Sequence, residues 1–356
     1  MSKPVIVVGI DFGTTYSGFS WARSTGTKEI QLVTTWPTTD FDYSSTHDKT
    51  RTWISYDKGN REPSSYGYEA RGNPFKWFKV LLQHGHYSAD IEYVQDANAK
   101  LKDLNKTIDN VISDYLKWIW QTGISDIRRV LGKSFESIYD LKVVLTVPAA
   151  WEPFARDRTK RAAWAAGLPK NLKLVSEPEA GALYSLLHRE REKSLKVGDI
   201  FVVCDAGGGT VDLITYEVEA LRPLKLKECA VGKGDLCGSL FLDIGFEQMI
   251  KRKIGAEKYV SLRERDKKDM ISQFEYRVKR QFDGNINKKM SVTLRGLGSD
   301  VEDSDEDDDD LVHFRGWVFL DLCFREKLSP KLFKTQRSLD PILKRFSKKF
   351  ARKQTG

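Results

Sequence analysis

The chain has 356 residues, 40% of them hydrophobic and 30% charged, which is ordinary for a globular protein and long enough for about two domains with buried cores. No apolar run approaches the ~18 residues of a membrane span, and Cys204, Cys229, Cys237 and Cys323 lack zinc-type spacing, so they read as reduced thiols in a cytoplasmic protein without a membrane partner. The net charge of +8 belongs to residues 322–356, where eleven Lys/Arg face two acidic residues, leaving residues 1–321 at −1.

In chain order, "VIVVGI" (5–10) is apolar and β-branched and predicts a buried strand, not a secretion signal. "YSGFSWA" and "IQLVTTW" supply further strand material, and residues 37–75, rich in Thr, Ser, Tyr, Asp and Gly, read as a loop-rich insertion. Leu101, Leu104, Ile108, Val111, Tyr115 and Ile119 recur at three- and four-residue steps and predict an amphipathic helix between 101 and 131. A strand at 141–149 stops at Pro148, a helix at 151–168 ends near Gly167, a short strand covers 172–175, and Pro178 opens a helix over 177–193. Strands follow at 199–205 and 210–218, then helical sequence over 241–282 and a strand at 290–296. Alternating strands and helices predict an α/β protein. "DVEDSDEDDDD" (300–310) places nine acidic residues in eleven, directly before the basic tail. Both charge runs read as solvated segments, the tail capable of weak, salt-sensitive, non-specific polyanion binding.

Two turns share one grammar. "DFGTTYSG" (11–18) and "DAGGGTVD" (205–212) each place an Asp at the end of an apolar strand, followed by Gly and Thr. Glycine lets the backbone turn without a Cβ clash, and the exposed N–H groups of such a turn favour phosphate oxygens. The Asp cannot face phosphate directly and suits Mg²⁺ held through its waters. Two such loops can clasp a triphosphate from both sides. Neither is a P-loop or a dinucleotide fingerprint. Either turn alone reads equally well as a tight hairpin.

"VVGIDFGTTYSGFSWA", "VVLTVPAAWEPFARDRTKRAAWAAGL", "LVSEPEAGALYSLL" and "VVCDAGGGTVDLITYEV" together resemble the ATPase domain of the DnaK-like 70-kilodalton heat-shock chaperones, in family order and spacing, over roughly residues 4–320. "GDLCGSLFLDIGFEQMI" (234–250) looks like a divergent branch. The resemblance implies a two-lobed actin-like ATPase fold, with duplicated ribonuclease-H-like lobes and inserted subdomains. The first lobe would cover 1–198 with an insertion at about 37–120. A partial second lobe would cover 199–321 with a helical insertion at about 231–298, and an atypical tail 322–356. It also implies ATP/ADP and Mg²⁺ as ligands and leaves room for protein clients or co-chaperones, which the sequence does not identify. Asp11 and Asp205 would serve the metal, Gly13, Thr14, Thr15 and Tyr16 the first phosphate loop, and Gly207, Gly208, Gly209 and Thr210 the second. Glu177 would sit near the attacking water and Asp212 would orient it. Asp11 and Asp205 read equally as strand-end caps, and Glu177 as a first-turn carboxylate favoured by the helix dipole.

Two departures weaken the resemblance. The family lysine near the γ-phosphate lies in a short Ala-Lys segment, and the matching "YGYEARGN" (66–73) offers Arg71, a planar fork in place of a point charge. The glycine-rich turn that closes the family's adenine pocket is absent, since no glycine lies between Gly316 and Gly356, and the second lobe reads as incomplete, with no peptide-binding domain. The leading expectation is Mg²⁺–ATP binding with slow or residual hydrolysis. A non-catalytic nucleotide-sensing or interaction module is the alternative, and a small-molecule kinase of the same superfamily a third reading that lacks a substrate-hydroxyl signature.

Overall fold

Alternation builds the first strand: Ile6, Val8, Ile10 and Phe12 of β1 (Val5–Phe12) are all at most 1% exposed, and the residues between them turn away. The computed structural model describes residues 3–26, 29–38, 47–83, 92–190, 195–235, 237–296, 311–316 and 318. The acidic run 300–310 and the basic segment 322–356 lie outside the described residues. The chain forms two compact units, residues 1–235 and 236–356.

In the first unit β1 is followed by β2 (Tyr16–Arg23), β3 (Gln31–Leu32), β4 (Thr50–Arg51), β5 (Trp53–Tyr56), β6 (Pro63–Tyr66) and β7 (Phe75–Lys76). A 3-10 turn at Phe78–Leu82 leads to α1 (Glu92–Leu104), α2 (Ile108–Leu131) and α3 (Phe135–Ile138). Then come β8 (Asp140–Val147), α4 (Pro153–Ala165), β9 (Lys173–Ser176), α5 (Glu177–Glu190), β10 (Ile200–Ala206), β11 (Val211–Leu221) and β12 (Leu224–Asp235). The main sheet has the order β3-β2-β1-β8-β9, with β4 also paired to β2. β1 is antiparallel to β2 and parallel to β8, which is parallel to β9. β6-β5-β7 and β10-β11-β12 form two further sheets. The fold is mixed α/β, and none of the described sheets closes into a barrel.

Residues 50–76, expected to be irregular, thus hold four short strands. β12 has no counterpart among the expected elements. Most of its side chains are exposed, Val231 at 93%, so its sequence lacks the apolar alternation that marks a half-buried strand.

The amphipathic helix expected between 101 and 131 is divided: Leu101 and Leu104 end α1, Asn105 turns the chain at φ 49°, and the periodicity from Ile108 onward forms α2. Thr107 caps it: its Oγ1 accepts from the Asn110 N–H at 3.3 Å, and Asn110 Oδ1 accepts from the Thr107 N–H at 2.9 Å. Gly132, at φ 89°, ends it. Val111, Ile112, Tyr115, Leu116, Ile119 and Ile127 are fully buried in a continuous core with β1 and β8. Trp21 Nε1 donates to Asp126 Oδ2 at 3.2 Å, tying β2 to the same helix. Pro153 occupies the first turn of α4, as expected of a residue whose missing N–H costs nothing there.

The second unit contains α6 (Ser239–Ile254), α7 (Ala256–Ser261), α8 (Glu264–Gln273), a π-turn at Phe274–Val278, α9 (Lys279–Gln281), β13 (Lys289–Thr293) and β14 (Leu311–Arg315). β13 and β14 pair antiparallel. Phe246 and Phe274 stack at 3.9 Å in its own core with Ile250, Met270 and Val292. Among the described residues no helix is long and apolar enough to cross a membrane.

The α2–β2 contact requires a glycine. A Cβ at Gly123 would lie 2.2 Å from the Phe19 ring. Gly123→Ala gains up to ~1 kcal/mol of helix propensity but overpacks the interface at a cost of ~1–3 kcal/mol. Urea denaturation should therefore show a net loss of stability; a stabilised variant would mean that the ring moves aside freely.

Candidate functional site

Both Asp-Gly turns join antiparallel hairpins of the first unit. In the β1–β2 hairpin Asp11 lies opposite Gly18, and in the β10–β11 hairpin Asp205 lies opposite Asp212. The second turn is closed by the Gly207 N–H on the Thr210 carbonyl at 3.0 Å. In the first, a Cβ on Gly13 would fall 2.2 Å from the Tyr16 carbonyl oxygen, so only glycine fits.

The structure brings the two turns together. A Cβ on Gly208 would lie 2.3 Å from Thr15 Oγ1, and one on Gly209 2.6 Å from Thr14 Oγ1. A strap holds the first turn in place. The Thr52 N–H donates to the Thr15 carbonyl at 2.8 Å, and Thr52 Oγ1 donates to the Gly13 carbonyl at 2.9 Å and bonds Ser17 Oγ at 2.8 Å. Tyr16, at the start of β2, pairs with Arg51 of β4 in the same strap.

Carboxylates surround the turns. Asp11 accepts from Lys49 Nζ at 2.6 Å through Oδ2 and from Thr146 Oγ1, on β8, at 2.9 Å through Oδ1. Burial pushes the Asp11 carboxyl up, but the Lys49 ammonium outweighs it and holds the group below its ordinary value. Glu177, the first residue of α5, pairs with Lys79, which is 1% exposed. The Lys79 ammonium also lies over the Phe12 ring at 5.4 Å and the Trp151 ring at 5.3 Å. Burial raises Glu177 above its ordinary value, and the charges of Asp11 and Asp205 add to the effect against Lys79. Asp205 is raised by burial and then by its like-charged neighbours Asp212 and Asp11. Asp212 is 1% exposed and raised by burial. Its Oδ1 accepts from the Ala150 N–H at 3.1 Å, while Oδ2 is buried without a hydrogen-bond partner.

Asp11, Glu177, Asp205 and Asp212 therefore meet at one place with the two glycine turns. Arg71 does not join them. It is exposed, its N–H bonded to Ser65 Oγ and its carbonyl to Ser55 Oγ, and the cations acting on the four carboxylates are Lys49 and Lys79. Lys49, Lys79, Thr146 and the Thr52 strap are site residues that the sequence analysis did not single out. The one available signal was a lysine embedded in the apolar run "WFKVLL" (77–82), where a charge must find a partner if the run is buried.

Among the described residues two ammonium groups face four carboxylates, which leaves the cluster short of positive charge. Among the described residues no three His, Cys, Asp or Glu side chains group closely enough to cage a metal ion. The donor set instead fits a Mg²⁺ that keeps its waters and takes the rest of its oxygens from phosphate. The unpartnered Asp212 Oδ2 and the glycine cradle agree with a ligand of that kind.

Residues 125–296 match the family described as Hsp70 protein. The human and mouse heat shock 70 kDa protein 12A are each 27% identical over 320 residues, covering 71% of this chain and 46% of each relative. The DnaK chaperone protein of Thermotoga petrophila is 27% identical over 224 residues, covering 61% of this chain and 31% of its own length. Over residues 125–296 the chain is thus similar to the Hsp70 family, and it is diverged from the chaperones it matches. It spans less than half the length of the curated relatives it matches. The paired glycine turns lie in the first compact unit.

The opposite shifts of Asp11 and Asp205 have opposite consequences for stability. Asp11 is lowered in the folded state, so it stabilises the fold at neutral pH, and that contribution is lost as pH falls through its folded value. Asp205 is raised, so it costs stability as pH rises from the ordinary carboxylate range through its folded value. Without ligand at neutral pH, Asp11→Asn should lower the urea midpoint and Asp205→Asn raise it; the Asp205 difference should vanish as pH falls to the ordinary carboxylate range, and the Asp11 difference only below that range. Shifts of the same sign in both variants would contradict this electrostatic picture.

Proposed function

We propose that the first unit binds ATP as its Mg²⁺ complex and hydrolyses it slowly, as one half-clasp on each side of the phosphate chain. The two hairpins, β1–β2 and β10–β11, are then the equivalent parts of a duplicated, actin-like ATPase fold. The observation that carries this reading is the contact between the turns at Gly208–Thr15 and Gly209–Thr14, with two ammonium groups and four carboxylates around it. Backbone N–H groups of both turns would receive phosphate oxygens. Asp11 and Asp205 would hold Mg²⁺ through its waters, and the ion would supply charge neutralisation on the phosphates.

Lys79 would serve the γ-phosphate. Its ammonium is removed from water and aimed at Glu177, which makes it effective against charge developing on a transferred phosphoryl group. Glu177 and Asp212 would orient the attacking water, and their raised affinity for protons suits groups that exchange one. The products are ADP and inorganic phosphate, and no covalent intermediate is needed. A chaperone-like module with this chemistry would report its nucleotide state to protein clients or co-chaperones.

Binding without turnover is favoured by one feature: Lys49 already neutralises Asp11. Calorimetry and single-turnover hydrolysis separate the two readings. Mg²⁺–ATP should bind the native chain, and Gly208→Val, which drives a side chain into Thr15, should weaken binding by about tenfold or more, the loss of one or two phosphate contacts. Lys79→Met should slow hydrolysis by roughly 10²–10³, whereas Arg71→Ala should leave affinity and rate unchanged. If the native chain binds no nucleotide, the reading fails. If it binds but shows no hydrolysis, the sensing module stands.

A further inference from the structure

Lys49 is built into the site with more care than a surface ion pair requires. It directly precedes β4, whose Thr50 pairs with Ser17 and whose neighbour Thr52 straps the Gly13–Thr15 turn. The Tyr68 hydroxyl donates to the Lys49 carbonyl at 3.1 Å and fixes the backbone from the other side. Its methylene stem runs across Gly18, where a Cβ would lie 3.3 Å from Lys49 Cγ and 3.9 Å from Cδ. Gly18 is the residue opposite Asp11 in the β1–β2 register. The stem thus passes in close contact with Gly18, and the ammonium reaches Asp11 Oδ2 at 2.6 Å. The lysine stays half exposed, so its head group can swing without breaking the strap.

A lysine ammonium is a compact charge with three donors and no acceptor. On the edge of the first turn it can do two things a divalent cation does there: neutralise Asp11 and attract a phosphate oxygen. We propose that Lys49 is a resident monovalent counter-cation of the phosphate site, which allows the chain to hold a nucleoside triphosphate without a divalent ion and which a divalent ion must displace from Asp11. This inference rests on the nucleotide-binding reading above. Lys79 cannot take the role, because it is buried and committed to Glu177.

The test is titration of the full chain with ATP, once in excess Mg²⁺ and once in EDTA, with native protein, Lys49→Gln and Lys49→Arg. Native protein should retain affinity in EDTA within about tenfold of its value in Mg²⁺, the worth of one charge-assisted contact. Lys49→Gln should lose on the order of tenfold or more in EDTA and much less in Mg²⁺. Lys49→Arg should keep most of the metal-free affinity. If native protein binds only with Mg²⁺, or if Lys49→Gln binds as well as native in EDTA, the counter-cation role is overturned and the nucleotide reading survives. Absence of binding in both conditions overturns the nucleotide reading itself, and this inference with it.

Discussion

An ammonium group almost wholly removed from water needs a carboxylate, and that requirement organises the centre of this protein. Lys79 is 1% exposed and paired with Glu177 between the Phe12 and Trp151 rings. Removing either charge would leave the other buried without compensation, a far greater loss than any surface pair entails. The pair joins the turn after β7 to the start of α5, and with it the end of β1, whose Phe12 lies under the ammonium. Asp11, one residue earlier on the same strand, is thereby fixed beside the first glycine turn.

Around that pair the site holds more negative charge than its own cations neutralise. Burial raises Glu177, Asp205 and Asp212, like-charged neighbours add to it at Glu177 and Asp205, and Lys49 holds Asp11 low. Such clustering of like charge costs folding stability and is retained where a ligand relieves it. A divalent ion with a phosphate chain is the ligand whose charge and oxygen chemistry match both the carboxylates and the glycine N–H groups. The strap through Thr50 and Thr52 adds a lysine to this arrangement without using a ligating side chain from the turn itself.

Much of this was legible in the chain. β1, β8 and β10 follow from apolar, β-branched runs, α2 from its three- and four-residue periodicity, and the paired turns from the repeated Asp-Gly-Thr grammar. Both turns pointed to a shared site because glycine and strand-end Asp are constrained locally. Lys79 was not legible, because its role depends on a partner 98 residues away and on a 3-10 turn that follows Trp77 in left-handed backbone at φ 56°. Arg71 matched a short motif, but both its backbone groups are bonded to serines of the β5–β6 region, which keeps the residue at the surface. Lys49 lies in a polar stretch with no periodicity, so only the pairing of β4 with β2 reveals it. β12 was missed for a related reason: its order comes from hydrogen bonds to β11, not from burial of its side chains.

The central claim is that both turns close on one ligand. Hydrogen exchange of the backbone amides, compared with and without Mg²⁺–ATP, tests it most directly. The account predicts slower exchange at residues 13–16 and at 207–210 together, at the same nucleotide concentration, because their N–H groups receive the same phosphate chain. Protection of one turn without the other, or of neither while nucleotide is demonstrably bound, would contradict it.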